Sequence, residues 1–442
     1  MKRRGTYPQS AMREQQTPQG GRNLESAPET TDGLRVLHVS PSFYPAVEYG
    51  GPVASLYELC LAQRQAGLNL RVLTSTAGLS DREDGRSVAA GRWQQSFGVP
   101  TYYAKVRLPP DLAPAMLPQL IRMSRWAQVV HVTGLFSAAS VLAVATALAT
   151  ELGHAACSSF PPRPQPAVVV SPRGALLPWA LRQGRQRKQR FLSVLAPLLR
   201  QVHGWHATSE EEAQATRTIL AELGALAAKV RVVAPGLAHD LRSWVSPEGR
   251  SPNSQLVVLG RVHPVKNLEL ALHALACLRA QVPAASLVIA GPMADPAYAA
   301  ELRAKAEALG LRDAVKWPGL VTGEAKQRLL AGSAALWLCS HMESFGNVVI
   351  EALAAGTPVI ATQTTPWQRL EPAAVGRWVP TDAAALAAAT VELLTRQAEP
   401  SSRESLAARC QGFVRAHFSL EQSELEMRQL YRSALGSSGQ DG

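Results

Sequence analysis

A chain of 442 residues is too long to fold around one hydrophobic core, so two domains are expected, and 46% hydrophobic against 18% charged residues excludes a disordered protein. The net charge of +11 points to an anionic partner, with nucleotide phosphates, acidic lipid and nucleic acid all open. Five cysteines, Cys60, Cys157, Cys277, Cys339 and Cys410, lie in or beside apolar runs without a C-x-x-C pair; they read as buried free thiols in a reducing compartment, which excludes a disulfide frame or a zinc site.

Residues 1–32 open with Met1-Lys2-Arg3-Arg4 but lack an apolar core, so they read as a disordered tail and not as a signal peptide. Arg35 to Val39 is a strand. Gly50-Gly51 then precede Pro52, a residue suited to the first helical position, and Val53, Leu56, Tyr57, Cys60 and Leu61 repeat at helical spacing as far as Gly67. Leu70 to Thr74 closes a βαβ unit whose glycine pair either makes a turn or lets backbone approach a phosphate at the helix start. Val129 to Thr133 is a strand that runs into a buried helix from Leu135 to Leu152; its uncharged stretch is shorter than the roughly 20 residues a membrane span needs. His131, at that strand end, is either a satisfied structural residue or a catalytic one.

Ala167 to Val170 is the next strand, ending in Ser171-Pro172-Arg173-Gly174. Arg182, Arg185, Arg187, Lys188 and Arg190 follow in one short segment that continues into Phe191, Leu192, Val194 and Leu195. This is either a solvated helix face or a patch for an anionic membrane surface or a phosphate-bearing lipid acceptor. Thr208 or Ser209 caps a helix that begins Glu210-Glu211-Glu212, which is capping chemistry without a catalytic role. Val230 to Ala234 ends the first half, and residues 246–254, rich in Pro, Gly and Ser, read as a linker.

The second half restarts the alternation with strands at Leu256–Leu259, Ser286–Ala290, Ala314–Trp317, Ala334–Cys339 and Pro358–Ala361, and one more at Val375–Val379. After its first strand, Arg261 and Lys266 flank a loop before the helix marked by Leu268, Leu272, Leu275 and Leu278; two cations over a helix start can neutralise a pyrophosphate. After its fourth strand, Glu343 sits in a loop and Gly346-Asn347 open a helix stopped by Gly356 and Pro358. Free N–H groups there suit a phosphate, and Glu351, one turn in, tilts back toward the same end. Carboxylates beside a phosphate need another partner, and the hydroxyls of a nucleotide sugar supply one. Trp367 either stacks on a sugar or fills the core. Phe418-Ser419-Leu420-Glu421 begins a last amphipathic helix.

The stretch from Glu343 to Glu351 resembles the Glu-x7-Glu motif of the retaining GT-B glycosyltransferases of the large family four, and the Gly260-Arg261…Lys266 loop resembles that family's Gly-Arg…Lys element. The resemblance extends over residues 33–436. It implies an α/β protein of GT-B architecture, with two Rossmann-like domains whose parallel sheets face each other across a central cleft. The division would be an acceptor domain at 33–245, the linker at 246–254, a nucleotide-sugar domain at 255–417 and a C-terminal helix at 418–442 crossing back to the first domain. It further implies transfer of a sugar from a UDP- or GDP-linked donor to an acceptor hydroxyl, with retention, without a metal or other cofactor, in cell-surface polysaccharide or glycolipid assembly.

On these positions Glu343 would touch the donor sugar, Glu351 the ribose, Arg261 and Lys266 the diphosphate, and Gly50, Gly51, Phe345, Gly346 and Asn347 would complete the donor site. His131 would join the catalytic group; Arg173, Arg185, Arg187 and Lys188 would serve the acceptor or membrane side. The chain would be cytoplasmic, peripheral at the inner face of the cell membrane, with a glycan or lipid-linked acceptor and no nucleic-acid partner. Thr133 stands where the family often has a second His, and Pro235-Gly236 where it tends to have Asn-Gly. Both departures fall on the acceptor and hinge sides, which leaves a silent nucleotide-sugar-binding scaffold, or a retaining phosphorylase, as alternatives.

Overall fold

The computed structural model of the protein describes residues 33–79, 88–107, 113–149, 165–238 and 254–438; the tail expected at 1–32, all but Ser254 of the expected linker, and Cys157 lie outside them. The first domain runs β1 (Arg35–Ser40), α1 (Gly51–Gln65), β2 (Asn69–Ser75), β3 (Trp93–Ser96), β4 (Val99–Ala104), α2 (Met116–Trp126), β5 (Val129–Thr133) and α3 (Ala138–Leu148). It continues through β6 (Ala167–Ser171), α4 (Pro178–Arg182), α5 (Arg185–Leu199), β7 (Gly204–Ala207), α6 (Glu210–Glu222) and β8 (Val230–Val232). The second runs β9 (Gln255–Leu259), α7 (Leu268–Arg279), β10 (Ser286–Ala290), α8 (Pro296–Ala308), β11 (Val315–Gly319), α9 (Gly323–Ala331) and β12 (Ala335–Leu338). Then come α10 (Asn347–Ala354), β13 (Val359–Thr362), β14 (Gly376–Val379), α11 (Ala383–Arg396), α12 (Pro400–His417) and α13 (Leu420–Ser438).

Each sheet is doubly wound, as the strand-helix alternation predicts. The first has the order β3-β4-β2-β1-β5-β6-β7-β8, parallel except for the β3–β4 hairpin, and the second the order β11-β10-β9-β12-β13-β14. In both, the chain leaves the first strand toward one edge and returns to its other side. The reversals lie between β1 and β5 and between β9 and β12, the places where parallel α/β sheets open a crevice for ligands.

Apolar strand residues alternate between two cores. In the first sheet Leu37, Val39, Val130, Val132, Val168, Val170 and Trp205 face α2, α3 and α5. Val36, Val129, Ala167 and Val169 face the other way and pack with Leu59 and with Met427, Leu430 and Tyr431 of α13. That last helix therefore belongs to the first domain's packing, and main-chain hydrogen bonds tie its start to Leu237, with Leu237 N–H on Phe418 O at 2.9 Å and Leu420 N–H on Leu237 O at 3.0 Å.

Several local expectations shift. The helix expected from Leu135 starts at Ala138, because the Ser137 side chain accepts the Ser140 N–H and fixes the N-cap there. Ser209 caps α6 as its position suggests, and Asp382 caps α11. Trp367 is core, 1% exposed against Phe345 and Phe418. Cys60, Cys339 and Cys410 are buried free thiols, but Cys277 is exposed, on the solvent side of α7 between inward-facing Ala274 and Leu278.

Candidate active site in the interdomain cleft

The β9 and β12 strand ends bring two loops together. The loop after β9 carries Arg261 and Lys266, that after β12 carries Glu343, and His341 N–H donates to Val265 O at 2.9 Å to join them. Lys266 Nζ lies 2.5 Å from Glu343 Oε1, and the Ser340 hydroxyl donates to the same oxygen at 2.6 Å. The two side chains are 17% and 12% exposed, so the pair is shielded without being sealed. Arg261 is half-buried in the same loop as Lys266; His263 there has its pKa lowered by burial and then by the Arg261 charge.

Gly346 takes φ +88° to turn the loop into α10, a conformation that favours glycine. Glu351, one turn into α10, pairs with Lys326 of α9 at 2.7 Å, with exposures of 14% and 28%. Lys326 escaped the sequence reading because its partner is reached only through the fold. Glu58 escaped it as well. It extends from α1 toward the same pair, and burial, followed by the Glu351 charge, raises its pKa to about 7 against the opposing pull of Lys326.

The first domain closes the site from the other side. Asn347 Nδ2 donates to Gly51 O at 3.1 Å, so the first residues of α1 and α10 touch and their N-termini converge. A side chain at Gly51 would meet Asn347 Nδ2 at 3.4 Å, and Gly50 takes φ +80°. The segments that carry Gly50, Gly51, Gly346, Asn347, Glu343, Glu351 and Lys266 thus meet at one place, with Arg261 in the same loop as Lys266. Phe345 does not offer its ring to that cleft: the side chain is 6% exposed and packed between Trp367 and Phe418, with its carbonyl accepting from Trp367 Nε1.

His131 is likewise placed away from a substrate. It is fully buried in a directed chain of hydrogen bonds. Val233 O can only accept, so His206 Nε2 donates to it at 2.9 Å and His206 Nδ1 accepts from Ser171 Oγ at 2.6 Å. Ser171 Oγ then accepts from His131 Nε2 at 2.6 Å, and His131 Nδ1 accepts from the Tyr431 hydroxyl at 2.7 Å. Gln63 continues the chain, donating to Tyr431 at 3.2 Å and accepting from His38 Nε2 at 2.8 Å. Burial disfavours the charged form of all three histidines. Burial lowers His38 to about 4 and His206 to about 3, with the Arg173 charge acting in the same direction, and burial holds His131 well below its ordinary value. The period-two pattern of β1 and β5 puts His38 and His131 on the face covered by α1 and α13, a signal present in the sequence but not read there.

The basic residues divide. Arg185 and Arg187 are exposed on α5. Lys188 turns inward, donating to Ala180 O at 2.6 Å with its Nζ 5.2 Å from the centre of the Phe136 ring. Arg173 is apart from that surface, beside His206 and the start of α13, with Nε buried and without a partner. Among the described residues no cluster of three or more His, Cys, Asp or Glu could hold a metal ion, and no helix is long and apolar enough to cross a membrane.

Residues 246–410 match the family described as glycosyl transferases group 1. The second domain belongs to that family. Relatives include a D-inositol 3-phosphate glycosyltransferase of Jonesia denitrificans, 33% identical over 35% of this chain and 39% of its own, and a GDP-mannose:cellobiosyl-diphosphopolyprenol alpha-mannosyltransferase of Komagataeibacter xylinus, 32% identical over 42% and 47%. The chain thus spans less than half the length of either curated relative. The whole fold is GT-B: Anabaena HepE, solved with UDP and glucose, superposes with a TM-score of 0.65 over 90% of this chain and 100% of its own at 19% identity. Sucrose-phosphate synthase from Thermosynechococcus elongatus gives 0.64 over 90% and 98% at 21%.

Proposed function

We propose that the protein transfers a hexosyl group from a nucleotide sugar to an acceptor hydroxyl with retention at the anomeric carbon. The observation that carries this reading is the pair of shielded Lys–Glu contacts, Lys266–Glu343 and Lys326–Glu351, on either side of the α10 N-terminus at the β9/β12 crevice. A donor diphosphate would take Arg261 and Lys266 as its cations and the N–H groups at Gly346 and Asn347 as its hydrogen-bond donors. Released from Lys266, Glu343 would accept from hexose hydroxyls, and Glu351 from the ribose diol.

The bond from the anomeric carbon to the diphosphate breaks as the acceptor oxygen bonds to the same face. The acceptor proton passes to the leaving phosphate oxygen, so no covalent enzyme intermediate and no metal are required. The names of the curated relatives, together with HepE solved with UDP and glucose, support a nucleotide-sugar donor, UDP- or GDP-linked, and a glycan or lipid-linked acceptor. The exposed Arg185 and Arg187, with Val194 77% exposed on the same helix, suit an anionic membrane surface at the cytoplasmic side, where glycolipid or polysaccharide assembly would place the enzyme.

The test is nucleotide release from a panel of UDP- and GDP-sugars in the presence of EDTA, with the anomeric configuration of the product read by NMR. Retained configuration at full rate in EDTA is expected. Inversion, or turnover only with free phosphate, would replace the reading with another enzyme class; binding without turnover would favour a silent scaffold.

A further inference from the structure

Residues 342–344, which carry Glu343, rest on two elements of the first domain. A side chain added at Gly174 would meet Ser344 Cβ at 3.4 Å and Met342 Cε at 3.6 Å, and the Thr208 hydroxyl lies 3.0 Å from Ser344 O. Gly174 is in the loop after β6 and Thr208 follows β7, so neither is placed by the other along the chain.

Glu212 of α6 holds both. Its side chain is fully buried; Oε1 accepts the Gly174 N–H, and Oε2 accepts the Thr208 N–H at 2.7 Å and the Thr208 hydroxyl at 2.6 Å. The single hydroxyl hydrogen of Thr208 is shared between Glu212 Oε2 and Ser344 O. The sequence marks Glu212 only as a capping residue, and its N–H does accept that part, donating to Ser209 Oγ at 3.1 Å. The carboxylate, however, is spent on three donors outside its own helix, an expensive arrangement for a buried charge if nothing but a helix start were served. The Arg173 charge, attracted by Glu212, lies next to it.

We propose that Glu212 is a positioning residue for the transfer site: through Thr208 and Gly174 it seats the Ser344 backbone and so sets where Glu343 stands relative to the first domain. The proposal rests on the glycosyltransferase reading for its effect on turnover, but not for the seating itself. Donor phosphates are met by the second domain, whereas the acceptor must arrive from the first. A slack seat therefore misaligns the two substrates more than it weakens the donor, and misplacement by about 1 Å can lower turnover on the order of a hundredfold.

The test compares Thr208→Val, which keeps the shape and removes the hydroxyl, with Thr208→Ser, which restores it, and with Glu212→Gln, whose amide nitrogen cannot accept. Hydrogen exchange of residues 340–347 is measured on the full chain without ligand, and turnover with donor. Thr208→Val is expected to speed exchange of that second-domain segment and to lower kcat about tenfold or more with donor KM within about twofold. Thr208→Ser should recover both, and Glu212→Gln should follow Thr208→Val. Unchanged exchange at 340–347 in a folded Thr208→Val would overturn the proposal whether or not the enzyme turns over. Changed exchange with no turnover in the wild-type protein would instead remove the functional reading and leave the seat standing.

Discussion

The same doubly wound sheet appears twice in this protein, and its polar residues are used in opposite ways. In the first domain His206, Ser171 and His131 are buried and hydrogen-bonded in a row from the Val233 carbonyl, and Tyr431 and Gln63 carry the row on to His38. In the second, Lys266 pairs with Glu343, which also accepts from the Ser340 hydroxyl, and Lys326 pairs with Glu351, all four partly open. A buried hydrogen-bonded chain fixes an element in place, here the returning helix α13; a shielded ion pair at a crevice can exchange its partner for a ligand of the right charge.

Acid should loosen the first arrangement. Each histidine is neutral in the folded chain with a pKa below its ordinary 6.5, so between pH 6.5 and about 4 the unfolded chain binds more protons and stability falls as pH falls. For His38 alone the shift to about 4 corresponds to about 3 kcal/mol; Glu58, raised to about 7, acts in the opposite sense over the same window, so denaturant melts of a Glu58→Gln chain at pH 7 and pH 4.5 should show a loss of several kcal/mol. A flat profile would mean that the histidines are not held neutral.

Lys266→Ala should act on the second arrangement, stranding Glu343 and removing a phosphate cation. Nucleotide affinity is expected to fall roughly a hundredfold, while the acid response of the first domain is retained. Tyr431→Phe should do the reverse. It removes the hydroxyl between Gln63 and His131, so stability should drop by about 1 to 3 kcal/mol with nucleotide affinity unchanged. The smallest effect sharpens the comparison at the surface: Arg185→Gln with Arg187→Gln should leave stability within about 0.5 kcal/mol yet reduce co-sedimentation with anionic vesicles, and equal co-sedimentation would dismiss the membrane surface.

The fold was legible because its signals are local: apolar runs of strand length, glycine and proline stops, and a cap at Ser209. The β3–β4 hairpin was not, since Trp93-Gln94-Gln95-Ser96 carries no apolar alternation, and it pairs only because β4 offers it an edge. In the cleft, Glu343 and Lys266 stood out through loop position and through the resemblance of their surroundings to the Glu-x7-Glu and Gly-Arg…Lys elements. Lys326, Glu58 and Thr208 did not, because each meets its partner across at least 25 residues of sequence or across the domain boundary. His131 was singled out from its strand end and from the pattern the resembled family shows there; the period-two alternation of β5, which turns its ring toward α13 and Tyr431, was the signal against it.

The central claim is that the charged crevice of the second domain binds a nucleotide sugar. Thermal melts of the wild-type chain and of Arg261→Ala, each with UDP-, GDP- and ADP-sugars at about a hundred times Kd, test it most directly. Binding at that level stabilises by about 2.7 kcal/mol, a rise of a few degrees in Tm. The account predicts that rise with one nucleotide class in the wild type and its loss in Arg261→Ala; no shift with any donor in a folded wild-type chain would contradict it.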